Sequence, residues 1–200
     1  MMKIDRVSMT FNQGTPDENQ ALNNVSLDVH DGDFVTVIGS NGAGKTTLYN
    51  AIAGTYTPTE GRIFIRDIDV TRTPEFKRSR YIGRIFQNPL LGTAGKMSLE
   101  DNMVICHKKG YKSLKISLNN KLREYFRSRL RELDMGLENR LKDNVELFSG
   151  GQRQALTLLM AVLSEPAILL LDEHTAALDP RNAEIVMNLT EKFAKEYKLT

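Results

Sequence analysis

A single cysteine, Cys106, stands in a chain of 200 residues. One thiol cannot close an intramolecular disulfide, and a reducing cytosol is the natural home of such a chain. Long hydrophobic runs are missing too: the longest apolar stretch, Ala155 to Leu163, is interrupted by Thr157 and is too short to cross a bilayer. The opening residues Met1-Met2-Lys3-Ile4-Asp5-Arg6 carry no apolar signal core. Any membrane association is therefore expected to run through a partner. Charge of one sign is lacking as well, since the formal net charge is +2, which gives no general reason to expect nucleic-acid binding. There is no internal repeat and no low-complexity tract. What remains, 40% hydrophobic residues, suffices for one compact domain with room for an inserted subdomain.

The stretch Gly39-Ser40-Asn41-Gly42-Ala43-Gly44-Lys45-Thr46, with Thr47 directly after it, fits G-x-x-x-x-G-K-[ST]. Phe34-Val35-Thr36-Val37-Ile38 before it reads as a strand, and Leu48 to Gly54 after it reads as the end of a helix. A loop that wraps a triphosphate needs unusual backbone angles and unobstructed amides, which glycine supplies, and the following helix turns unpaired N–H groups toward negative charge. Lys45 then reaches the β and γ phosphates, the Thr46 hydroxyl completes the shell of a Mg²⁺ on the same oxygens, and Thr47 adds a phosphate hydrogen bond. The alternative is a glycine-rich turn capping a helix by chance; the flanking strand and helix weigh against it. The motif alone specifies a nucleoside triphosphate and leaves the machine open.

Ile4 to Phe11 and Leu22 to Val29 read as an antiparallel strand pair joined by the loop Asn12 to Gln20. Phe11 ends the first strand, where its ring could stack on a purine; a place in the core is the equal alternative. His30 reads as a solvated loop residue. Pro58 to Gly61 turns the chain into a strand over Arg62 to Arg66, and Tyr81 to Phe86 forms another core strand running into Gln87-Asn88-Pro89. A polar side chain at a strand end faces the ligand crevice of an α/β sheet, so Gln87 could reach Mg²⁺ or the attacking water. The competing reading is a surface glutamine before a proline turn.

From Leu91 to Phe148 the pattern turns helical, with Leu118, Leu122, Tyr125, Phe126, Leu130 and Leu133 on one face. Between Lys108 and Lys142 there are eleven Lys/Arg against four Asp/Glu, which leaves −5 for the remainder of the chain. Two readings of this basic segment stay open: a solvated helix face, or a contact with anionic headgroups or an acidic partner, with Arg127, Arg129 and Arg131 on the interacting side.

Ser149-Gly150-Gly151-Gln152 leads into the helical run Ala155 to Ser164, a second helix start suited to an anion. Ile168-Leu169-Leu170-Leu171-Asp172-Glu173 follows, a buried strand ending in two acids. Adjacent strand residues point opposite ways, so Asp172 is expected on the Mg²⁺ shell and Glu173 at the γ phosphate as general base. His174 reads as structural. Ala177-Leu178-Asp179-Pro180 comes next.

Taken in order, these motifs resemble those of ATP-binding cassette proteins, and the resemblance runs from about Ile4 to the last residue. Phe148 stands where the family usually has leucine. The resemblance implies an α/β P-loop NTPase core with a RecA-like mixed sheet, an N-terminal antiparallel β subdomain and an inserted α-helical subdomain. The division is residues 1–90, 91–148 and 149–200. It implies ATP and Mg²⁺ as ligands and Phe11 as the adenine-stacking aromatic. Gln87 becomes the residue that couples the site to a partner and, with Glu173 and Lys45, a catalytic candidate. Ser149, Gly150, Gly151 and Gln152 contact the γ phosphate held by a second cassette, and Asp179 crosses that interface. Thr46, Gln87 and Asp172 are the metal candidates.

The function implied is hydrolysis of ATP for a membrane transporter, an importer rather than an exporter, by head-to-tail dimerisation as a homodimer or with a paired cassette. Polytopic permease subunits would hold the chain at the inner face of the cell membrane, and no nucleic acid is expected. The run Asp172 to Pro180 looks similar to ATPase subunits of bacterial importers, including those for amino acids. A soluble cassette ATPase of DNA repair or translation would usually carry a long coiled coil or a second cassette, and neither is present. A cassette that binds ATP with little turnover is the other alternative. In the family a further strand ending in a switch histidine follows the last helix, and none of His30, His107 and His174 occupies that place, so a truncated cassette is expected.

Overall fold

The computed structural model describes residues 1–86, 88, 90–107 and 118–200. These residues form two compact units, Met1–Ile82 with Lys198–Thr200, and Gly83–Tyr197.

The first unit is built on a four-stranded antiparallel sheet of β1 (Met2–Phe11), β2 (Asn19–Val29), β3 (Glu60–Ile65) and β4 (Ile68–Asp69), in the order β2-β1-β3-β4. Ile4, Val7, Ile63 and Ile65 are fully buried, and this apolar face holds the sheet. A strict alternation would not keep both Ile4 and Val7 inside. The pairing register slips between them, and Arg6 adopts φ 48°. This bulge supplies the extra residue that turns Val7 inward. Gly61 makes the bulge possible, because a Cβ there would lie 2.2 Å from the Arg6 carbonyl oxygen.

The helix α1 (Lys45–Ala53) buries Leu48, Ala51 and Ile52, and Gly54 ends it in the left-handed conformation, its N–H donating to the Asn50 carbonyl. Its last carbonyls are taken by an arginine. Arg78, at the end of the short α2 (Glu75–Arg78), is 1% exposed and donates to the carbonyls of Ala51 (2.7 Å), Ile52 (2.8 Å), Thr71 (2.9 Å) and Thr73 (2.7 Å). A guanidinium presents enough N–H groups in a planar fork to satisfy four acceptors at once, and its charge complements the negative end of a helix.

The expected strand over Phe34 to Ile38 does not form. Residues 33–40 have no regular structure, and Phe34 and Ile38 are 68% and 89% exposed. A strand is stabilised by its cross-strand pairs, and among the described residues no ladder includes this run.

In the second unit β5 (Ile82–Ile85) pairs with β6 (Ile168–Leu171). Around them lie α3 (Leu99–His107), α4 (Asn120–Arg131), α5 (Gly150–Leu163) and α6 (Pro180–Glu196). The helix α5 is buried almost all round, from Ala155 through Leu163, and is therefore the central helix of this unit. The apolar face expected on the inserted segment is present in part: Phe126, Leu130 and Leu133 are buried, Leu118 and Leu122 are half-buried, and Tyr125 is 39% exposed. Asn119 caps α4 by accepting from the Leu122 N–H.

The basic face is less open than its sequence suggests. Arg127 pairs with Glu124, and Arg129 pairs with Glu132 at 2.7 Å while lying over the Tyr197 ring. Lys108, Lys109, Lys112 and Lys115 lie outside the described residues.

Candidate functional site

In the first unit the glycine-rich loop runs straight into α1. Gly42 and Gly44 have φ of 83° and 85°, the left-handed region that glycine enters without a Cβ clash. At Gly44 a side chain is also excluded by space, since a Cβ would lie 2.4 Å from the Ala21 carbonyl oxygen at the start of β2. Gly44 is the N-cap of α1 and brings no capping side chain, and the first turn holds no acid. The N–H groups of Lys45, Thr46 and Thr47 are thus left with no acceptor inside the helix. Together with the helix dipole they make a seat for an anion.

Lys45 folds back over the loop and donates to the carbonyls of Gly39 (2.7 Å) and Ser40 (2.9 Å). Ser40, Asn41, Ala43 and Thr46 are exposed, and Thr47 is half-buried. Phe11, opposite Asn19 in the β1–β2 ladder, is half-buried and meets Tyr56 edge to face at 5.4 Å. It is half-buried rather than fully buried, and it ends β1 beside β2, whose Ala21 carbonyl approaches Gly44.

In the second unit both acids lie just past the end of β6, in a turn. Strand alternation is therefore not what separates them, as had been expected. The Asp172 N–H still donates to the Ile85 carbonyl at 3.1 Å, so Asp172 stays beside β5, half-buried, with the Arg84 guanidinium 3.9 Å from its carboxylate. Glu173 is exposed and has φ 45°. A change of backbone region between neighbours, rather than the pleat, gives the two carboxylates their different surroundings. Gln87 lies outside the described residues.

Ser149 caps α5. Its Oγ accepts from the Gln152 N–H at 3.2 Å while Gln152 Oε1 accepts from the Ser149 N–H at 3.1 Å, a complete capping box. Gln152 is thereby engaged within its own helix start, and its Nε2 donates to the Met135 carbonyl. Gly150 is open enough for an ordinary contact with Leu178, but a Cβ on Gly151 would lie 2.6 Å from the Asn182 side chain. Asn182 is held by Asp179, whose carboxylate accepts from the Asn182 N–H at 3.1 Å and from its Nδ2. These hydrogen bonds hold the Asp179 carboxyl below the usual carboxylate range. The starts of α5 and α6 are consequently one interlocked corner.

Three residues here escape a motif reading. Arg84 is an arginine inside an otherwise apolar strand, which is the signal that could have marked it. Asn182 and Thr190 carry no sequence signal, because their importance lies in what packs against them.

A loop seating an anion on a bare helix start, with an acid pair closing a buried strand, defines a P-loop nucleotide-binding α/β protein. The family profile described as ABC transporter matches residues 22–176, and the chain belongs to that family. It is 39% identical, over 100% of its own length and 80% of the relative's, to the tyrosine transport ATP-binding protein of Clostridioides difficile (strain R20291). It is 34% identical to the energy-coupling factor transporter ATP-binding protein EcfA2 of Clostridium acetobutylicum, over 100% of this chain and 68% of that protein. Among solved structures it resembles the ATP-binding cassette MJ0796 in a dimeric post-hydrolysis state bound to ADP and Pi. That match has a TM-score of 0.77 and 28% identity, covering 100% of this chain and 85% of the other. The fold is that of ABC cassettes, an α/β P-loop NTPase fold with an antiparallel β subdomain, and the chain is an ATP-binding subunit of this family.

Proposed function

We propose that this chain hydrolyses ATP to drive an importer, with Glu173 as the general base. The observation that carries this reading is the turn after β6, which keeps Asp172 beside β5 and leaves Glu173 exposed in a different backbone region. In this reading Asp172 serves as the metal ligand and Glu173 takes the proton. ATP is bound by the amides of Gly39 to Thr47, with the Lys45 ammonium transferring its hydrogen bonds from the Gly39 and Ser40 carbonyls to the β and γ phosphates. Phe11 stacks on the adenine. Glu173 accepts a proton from the attacking water, and Gln87 orients that water.

A Mg²⁺ ion would be held by Thr46, Asp172 and Gln87. The hydroxyl, carboxylate and amide oxygens are the hard donors this cation prefers, and when bound it neutralises charge on the β and γ oxygens. Ser149, Gly150, Gly151 and Asp179 face the nucleotide of a second cassette in a head-to-tail dimer; the dimeric, ADP- and Pi-bound state of the MJ0796 cassette supports this. The free proton of the Ser149 hydroxyl, whose oxygen already accepts from Gln152, is available to such a phosphate.

The names of the relatives support import, and the tyrosine transport protein favours an amino acid as cargo. No helix among the described residues is long and apolar enough to cross a membrane. Attachment at the cytoplasmic face through permease subunits belongs to this reading, which the relatives' names as transport and import ATP-binding proteins support. The same reading gives residues 91–148, the inserted helical part, the role of docking on the permease subunits.

The test is to measure ATP affinity and phosphate release together for the wild-type chain and for Glu173→Gln. The variant should bind ATP as the wild type does and release phosphate about 10²-fold more slowly or worse. Unaltered turnover in the variant would move the base elsewhere.

A further inference from the structure

Glu173 sits at φ 45° without being a glycine. For a side chain with a Cβ this left-handed region is unfavourable and persists only where neighbouring contacts impose it. Part of the constraint is the turn itself, in which the Ala176 N–H donates to the Glu173 carbonyl at 2.9 Å. The other part is the next residue. His174 is 7% exposed, and its Nε2 lies 3.2 Å from Thr190 Oγ1 on α6. Thr190 is 2% exposed and donates its only hydroxyl proton to the Val186 carbonyl at 2.8 Å. Its oxygen can therefore only accept from His174, so the ring carries a proton on Nε2.

We infer that His174 is a positioning residue: by tying the turn after β6 to α6 through Thr190, it holds the strained backbone of Glu173 and so the carboxylate that takes the proton. The tie has a consequence beyond packing. Residues 172–178 connect β6 to Asp179, the N-cap of α6, and the same helix carries Asn182 against Gly151. The turn bearing the base is thus fastened to the helix that braces the Ser149 corner, all within one unit. Without the tie Glu173 relaxes toward an ordinary backbone region and its carboxylate spreads over several positions. Displacement of a catalytic group by about 1 Å can cost on the order of 10²-fold in rate.

This inference rests on the reading of Glu173 as the base, and the experiment separates the two. Single-turnover hydrolysis at saturating ATP, ATP affinity and thermal melting are measured for wild type, Glu173→Gln, His174→Ala, His174→Gln, Thr190→Val and Thr190→Ser. His174→Ala and Thr190→Val should each lose about tenfold or more in turnover with affinity unchanged, at temperatures well below their melts. His174→Gln, whose amide N–H can reach the same oxygen, and Thr190→Ser should recover most of it. ¹⁵N spectra of the His174 ring should show the proton on Nε2. Thr190→Val is nearly isosteric and keeps the test open if His174→Ala does not fold. Turnover unchanged in Thr190→Val, or a ring protonated on Nδ1, would overturn the positioning role while leaving Glu173 as base. A wild-type rate equal to that of Glu173→Gln would instead remove the base reading itself.

Discussion

Around Gly39 to Thr47 the atoms that would recognise a ligand are mostly backbone amides, and Lys45 is a side chain that reaches across the loop. Around Asp172 and Ser149 the opposite holds, because side chains fasten each element there: Gln152 to Ser149, Asp179 to Asn182, His174 to Thr190, Arg84 beside Asp172. Phosphate recognition needs donors that converge without obstruction, which a bare helix start and left-handed glycines provide. Proton transfer needs one carboxylate held in place, which takes neighbours with locked rotamers. The difference also sets where each region is vulnerable. The loop is sensitive to anything that moves α1, and the acid turn to the loss of individual hydrogen bonds.

The largest expected effect breaks this comparison from the loop's side without touching the loop. Arg78→Met should strip four carbonyls, two of them fully buried, of their donor and lower stability by about 3 kcal/mol or more, read as a drop in the denaturant midpoint. Arg78→Lys should not restore it, since an ammonium lacks the planar fork. Next, Lys45→Ala should weaken ATP binding by about tenfold to a hundredfold, the scale of a hydrogen bond to a charged group, measured by calorimetry at constant ionic strength. Its melting in the absence of ATP should change much less.

Smaller effects sharpen the other side. Ser149→Ala removes the acceptor for the Gln152 N–H and should cost about 0.5–2 kcal/mol of stability. The mildest effect is on pH dependence. The folded state holds His174 below its ordinary value of 6.5 through burial, so the unfolded chain takes up the proton first as pH falls. The contribution of His174 is complete above about pH 6.5 and is lost progressively on acidification below it. Thermal melts followed downward from neutral pH should show this loss in the wild type and a shallower decline in His174→Gln.

How much of this was legible beforehand follows from how each feature is encoded. The phosphate loop reads directly from its letters because Gly42 and Gly44 stand where the backbone has positive φ, a demand that one residue type meets best. The face of α4 reads from its period, and Phe126 and Leu130 are buried as that period requires. The strand over Phe34 to Ile38 misled because composition marks a segment that can be a strand, whereas pairing decides whether it is one. Arg78, Asn182 and Thr190 were invisible for a related reason: their partners are backbone carbonyls or side chains distant in sequence, which no local pattern records. The turn that sets Glu173 apart from Asp172 likewise depends on a single φ value that two adjacent acids do not announce.

The proposed division between a backbone-built binding loop and a side-chain-held turn bearing the base is tested most directly by one paired measurement. ATP affinity and single-turnover phosphate release are determined side by side for Lys45→Ala and Glu173→Gln. The account predicts that Lys45→Ala loses affinity, whereas Glu173→Gln keeps wild-type affinity and loses about 10²-fold or more in turnover. Glu173→Gln turning over at the wild-type rate, or losing affinity as far as Lys45→Ala does, would contradict it.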